Sequence, residues 1–173
     1  METQQEQQEM TMTKAEPQKE HEWLQIFVGE WTLEDEKAAE PGQAASQWTE
    51  SVRSLHGLWI LAEGQGEMPG GGAATTVMTL GYDPQKKRFV GTWVGSMMTH
   101  LWVYDGSLDA TGKILTLETE GPSMCMSPDD GKMAKYRDVI EFKSDDHRVL
   151  TSHRLGEDGE WHEFMTAHYR RKR

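Results

Sequence analysis

The sequence predicts an all-β fold, a closed up-and-down antiparallel barrel of about ten strands with one short N-terminal capping helix. Three observations carry this. From Trp31 onward, short apolar or alternating segments follow one another, separated by Gly, Pro and Asp. No segment of helical length intervenes, so parallel crossovers are excluded and neighbouring strands pair as hairpins. A sheet of that many strands has exposed edges unless it closes on itself. A two-sheet sandwich is the alternative, because a period of two does not by itself show closure.

The elements follow in order. Residues 1–19 are rich in Gln and Glu and contain no aromatic side chain. They cannot bury enough apolar surface to offset ordering entropy, so a disordered polar tail is expected there, with the barrel domain over 20–173. Over 20–28, Trp23, Leu24, Phe27 and Val28 share one helical face, and Gly29 is expected to stop the helix. Strands are expected near 30–36, 48–55, 58–66, 75–82, 88–95, 100–104, 114–120, 134–143, 148–155 and 161–170. Turn chemistry separates them at His56-Gly57, Asp83-Pro84, Asp105-Gly106, Thr111-Gly112, Asp145-Asp146 and Asp158-Gly159.

In a meander, alternate loops lie at opposite ends of the barrel. The tight links at 56–57, 83–87, 105–113 and 144–147 share one end with the helix, which can plug it. The longer links, 37–47, the glycine stretch 68–73, 96–99 and 121–133, share the other. A barrel stoppered at one end and long-looped at the other is a cup, where a small ligand goes.

Composition narrows the class. At 173 residues the chain is one domain. Its longest apolar run, Leu58-Trp59-Ile60-Leu61-Ala62, falls far short of the roughly 20 residues of a membrane helix, so no membrane association is expected. The formal net charge of -11 argues against nucleic acid or anionic lipid as partner. The basic run Arg170-Arg171-Lys172-Arg173 then reads as a solvated terminus. A lone Cys125 makes no intrachain disulfide, and the first residues lack the charged-then-apolar order of an export signal. Both point to a reducing cytoplasm. The sequence sets neither a cofactor nor an oligomeric state.

Gly29-Glu30-Trp31, following a helix, resembles the opening of lipocalin-like (calycin) barrels. That resemblance implies that Trp31 packs across the closed end against a basic residue on the last strand, here Arg170 or Arg171, with Trp23 in the same closure. A longer string is more specific. It comprises His21-Glu22-Trp23-Leu24, Gly29-Glu30-Trp31, Gly57-Leu58-Trp59, Thr79-Leu80-Gly81-Tyr82-Asp83, Arg88-Phe89-Val90-Gly91-Thr92-Trp93, Ser96-Met97-Met98, Trp102, Tyr104-Asp105-Gly106 and Tyr169-Arg170-Arg171. It is similar to the bacterial "domain of unknown function 1579" family from about His21 to Arg171. The resemblance implies the barrel and carries no catalytic residue with it.

Strand faces supply the candidate site. Lys135, Arg137 and Glu141 share one face, which turns Tyr136, Asp138, Ile140 and Phe142 inward. On the next strand Val149, Thr151, His153 and Leu155 are expected inward, opposite Arg148 and Arg154. Phe89, Gly91, Trp93 and Gly95, with His100, Trp102 and Tyr104, are taken as interior because glycines among aromatics leave ligand-sized space. The ligand-binding candidates are therefore Trp93, His100, Trp102, Tyr136, Asp138 and His153.

Three functional readings use them. The leading one is a non-enzymatic barrel that binds a small, largely apolar molecule. An enzyme, hydrolase or isomerase, would use His100, Asp138 or His153 as acid and base. Inward histidines, with His162 joining His100 and His153, could hold haem or a metal, although no HxH or HExxH spacing supports a metal. Met97-Met98 and Met124-Cys125-Met126 fall at the cup's mouth as adaptable apolar contacts rather than soft-metal ligands. Gly-x-Ser-x-Gly is absent, and Gly70-Gly71-Gly72 lacks the Lys-Ser/Thr of a phosphate loop. A ligand-free assembly piece, which does not use them, is a fourth reading, supported if aromatics are exposed on an outer face.

Overall fold

A computed structural model describes residues 12–34, 48–68, 70–123 and 131–173. The 37–47 link, residues 1–11 of the expected tail and Met124-Cys125-Met126 lie outside those residues. Helix α1 (Lys19–Leu24) runs into a 3₁₀ turn (Gln25–Phe27). Ten strands follow, namely β1 (Gly29–Glu34), β2 (Thr49–Leu55), β3 (Trp59–Glu67), β4 (Ala73–Asp83), β5 (Arg88–Gly95), β6 (Trp102–Leu108), β7 (Ile114–Pro122), β8 (Met133–Ser144), β9 (His147–Leu155) and β10 (Trp161–Arg171). Each pairs antiparallel with its sequence neighbours, and β1 pairs with both β2 and β10, so the barrel is closed. Among the described residues no helix is long and apolar enough to cross a membrane.

The helix seals the tight-turn end. Leu24, Phe27 and Trp31 are fully buried there with Ile60, Leu80 and Leu115. Phe27 meets Phe142 edge to face at 4.9 Å between centroids. Polar contacts fix the angle of the plug. The Trp23 indole N–H donates to the Gly112 carbonyl at 2.7 Å, and His21 Nε2 lies 3.0 Å from the Tyr82 carbonyl. Arg171 reaches back from the last strand and donates to the carbonyls of Ile26 and Val28 at 2.8 and 2.5 Å. Its guanidinium stands 4.3 Å from the Trp31 ring centroid. Arg170 faces outward and pairs with Glu34 at 2.7 Å. Gly29 has φ +138°, and a Cβ there would lie 2.5 Å from Arg171 Nη1. The backbone favours glycine at that point, and any side chain there would displace the Arg171 guanidinium.

Three local expectations need correction. Gly29 does not stop the helix: α1 gives way at Leu24 to the 3₁₀ turn, and Gly29 opens β1. Asp105-Gly106 is not a turn. Strand β6 begins at Trp102, later than expected, and runs through both residues to Leu108. Gly106 stands between Phe89 and Leu117 in register, and a Cβ on it would strike the Thr116 carbonyl. The turn is made instead by Asp109, whose Oδ1 accepts the backbone N–H groups of Lys113 and Ile114 at 3.1 and 3.0 Å. The third correction is the face of β9. Arg148 and Ser152 are buried inward, and His153 stands on the outer face beside Arg137. An arginine at the start of an alternating strand ordinarily points to water. This one points inward because a carboxylate on a distant strand meets it.

Candidate functional site

Opposite the plug the barrel holds a cavity of about 380 Å³. Its mouth lies among Met97, Phe164 and Met165, each more than a third exposed. The register stacks the wall in layers. Deepest, Arg148 on β9 stands between Phe142 on β8 and Tyr169 on β10. One step outward Leu150 stands between Ile140 and Ala167, and next Ser152 stands between Asp138 and Met165. Trp48, Trp93, Trp102 and Tyr136 complete the outer wall.

Two polar clusters interrupt the apolar lining. At the floor the Arg148 guanidinium, 4% exposed, forms an ion pair with Glu50, 12% exposed. It also lies 4.4 Å from the Tyr169 ring centroid and 4.7 Å from that of Trp31. Its buried Nε has no hydrogen-bond partner among the described residues. The rings shield the charge from water, so the pair depends on its own attraction and on cation–π contact.

Higher up, Asp138 accepts a hydrogen bond from the Tyr104 hydroxyl at 2.7 Å and from the Ser152 hydroxyl at 2.6 Å. Burial pushes its carboxyl above the usual range, and those two bonds and the neighbouring His153 only partly offset the rise. Burial and the neighbouring Asp138 raise the Tyr104 hydroxyl well above its ordinary value, so it stays a donor. Burial raises Tyr169 too, with Glu50 adding to the effect.

Of the expected binding residues, Trp93, Trp102, Tyr136 and Asp138 line the cavity. The Trp102 indole donates to Met98 Sδ at 3.1 Å, and the Tyr136 hydroxyl donates to the Pro122 carbonyl at 2.6 Å. His100 does not line it. The His100 ring sits at the rim, 4.8 Å from the Trp102 ring, with Nε2 3.1 Å from the Glu120 carbonyl. His153 is outside, and its Nδ1 is buried without a hydrogen-bond partner among the described residues. His162 pairs with Asp158 at 2.8 Å, away from the cavity wall. The three histidines therefore do not face one space: they form no cavity haem ligand set, and neither His100 nor His153 pairs with Asp138 inside the barrel.

The reason given for the interior glycines also changes. A Cβ on Gly95 would meet Met97 Sδ and the Trp93 ring, and one on Gly121 would meet the Trp102 ring. These glycines seat wall side chains and leave no ligand space of their own. Sequence reasoning missed Glu50, Arg148, Ser152 and Trp48. Tyr104, two residues from Trp102 on the same face, carries the pattern of an inward aromatic and joins the site through its bond to Asp138.

The family model described as "Protein of unknown function (DUF1579)" matches residues 16–171, and the chain belongs to that family. No curated protein matches the chain. Among solved structures, one described as "Structure of EF1p2_mFAP2b bound to DFHBI" is similar at 14% identity and a TM-score of 0.41. That match covers 88% of this chain and 99% of the other.

Proposed function

We propose that this chain is a small-molecule-binding barrel that takes a small, largely apolar ligand into the cavity opposite the helix plug, and holds it rather than transforming it. The observation that carries this is the cavity itself. Its volume of about 380 Å³ falls within the roughly 300–1,000 Å³ typical of ligand sites. Its wall is aromatic, methionine-rich and aliphatic, with few polar groups convergent within it, the usual composition of such sites. The acidic balance of the chain and its single cysteine support a neutral or cationic small molecule as partner, in a reducing cytoplasm, over any polyanion.

Ala167 supplies the test, since it lines the cavity while being 8% exposed. Ala167→Phe places a ring in the space a ligand would take, at a position where a cavity can absorb the added volume. Titration with 4-phenylbutan-1-ol, followed by intrinsic tryptophan fluorescence, should show saturable binding by the wild type. The variant should bind at least about tenfold more weakly, a change of about 1.4 kcal/mol. Wild-type protein that binds neither this alcohol nor the amine and acid of the same body, or a folded variant that binds unchanged, would sink the proposal.

A further inference from the structure

The cavity's charges do not balance. Its lining contains two carboxylates, Glu50 and Asp138, and one guanidinium, Arg148. Arg148 is committed to Glu50. That leaves one negative charge, on Asp138, which has no ion pair among the described residues. Both Asp138 oxygens accept hydroxyl hydrogens, from Tyr104 and Ser152, and this suits an ionised carboxylate. Two neutral hydroxyls orient the charge without cancelling it.

The surroundings favour the opposite sign. The rings of Trp48, Trp93, Trp102 and Tyr136 share the wall, and aromatic quadrupoles attract a desolvated cation. Thr119 adds an acceptor. It lies one inward position from Leu117, which stands opposite Asp138, and it lines the cavity. Its buried Oγ1 has no hydrogen-bond partner among the described residues. An anion would meet the reverse: two carboxylates, and a guanidinium already paired.

We propose that the ligand is an organic amine, an apolar body bearing one ammonium group that Asp138 takes from the cavity wall. This rests on the small-molecule reading above and names the chemical class. The ammonium N–H groups would donate to Asp138 and to Thr119 Oγ1, while the apolar body fills the aromatic-walled space towards the mouth.

Three probes with the same body decide it: 4-phenylbutan-1-amine, 4-phenylbutan-1-ol and 4-phenylbutanoate, each titrated by calorimetry at neutral pH. The amine should bind at least about tenfold tighter than the alcohol, and the acid at least about tenfold weaker. Asp138→Asn keeps the side chain's shape and removes its charge, and should shrink the amine-to-alcohol ratio to within about threefold. An alcohol that binds while the amine binds no better, or while the acid binds best, would overturn the amine assignment and leave the cavity reading standing. An unchanged ratio in Asp138→Asn would overturn the role of that carboxylate. Failure of all three probes to bind would overturn both readings. Should Asp138→Asn not fold, the order of the three probes on the wild type still decides the class.

Discussion

Trp31→Ala should lower the thermal midpoint by about 6–20 °C. A buried tryptophan cut to alanine costs about 3–5 kcal/mol, and in a domain of this size each kcal/mol moves the midpoint by about 2–4 °C. The large end is favoured because the ring cannot be replaced by collapse. Trp31 is fully buried and packs against Phe142, and its indole N–H donates to the Phe27 carbonyl at 2.8 Å. Arg148 and Arg171 both lie within 5 Å of its ring centroid, so the truncation exposes two guanidinium groups to a cavity. Leu101→Ala, at a residue 52% exposed, should move the midpoint by under about 2 °C. Comparable losses in the two thermal melts would mean that the plug is not what closes the barrel. The polar tail expected over 1–19 overlaps the helix at its end. Lys19 is the first helical residue, and the Gln18 N–H donates to His21 Nδ1 at 2.9 Å, so a cut after residue 19 strips the helix start.

Arg148→Met should be as damaging, at about 3–5 kcal/mol, for a different reason. Removing one member of a buried pair leaves the other charged and unsolvated. Glu50 would then have to take up a proton or draw water into the floor of the cavity. The double variant Arg148→Met with Glu50→Leu should recover most of the loss, ending within about 1–2 kcal/mol of the wild type, because an apolar pair of similar volume suits this ring-lined pocket. Urea unfolding of the two single variants and the double variant measures the coupling. A single Arg148→Met that unfolds like the wild type would show that the pair is solvated and the floor is wet.

Much of the architecture was legible because period-two alternation and turn chemistry are local. The strand at 88–95 and the inward face of Tyr136, Asp138, Ile140 and Phe142 follow from residues two apart. The helix plug follows from the spacing of Trp23, Leu24 and Phe27. What was not legible depends on distant partners. Arg148 points inward because Glu50 waits 98 residues earlier, and an outward Arg148 inverts the whole of β9, bringing His153 in and turning Ser152 out. Asp105-Gly106 has turn composition, yet its glycine answers the approach of the Thr116 carbonyl from the neighbouring strand. Gly95 and Gly121 answer the tryptophan rings above them and Gly91 answers the Thr79 carbonyl, contacts that no spacing rule reveals. The histidines drew notice by residue type, and each is occupied elsewhere by a carbonyl, a carboxylate or the outer face.

The tryptophans themselves report on the cavity. Trp48, Trp93 and Trp102 line it, while Trp23 and Trp31 lie in the plug. The indole N–H signals of nitrogen-labelled protein, assigned by single Trp→Phe substitutions, can be followed as 4-phenylbutan-1-ol is added. The signals of Trp48, Trp93 and Trp102 should move together with a single saturating curve while those of Trp23 and Trp31 stay in place. Movement confined to the plug tryptophans or to the half-exposed Trp59, or none at all, would contradict a ligand site inside the barrel.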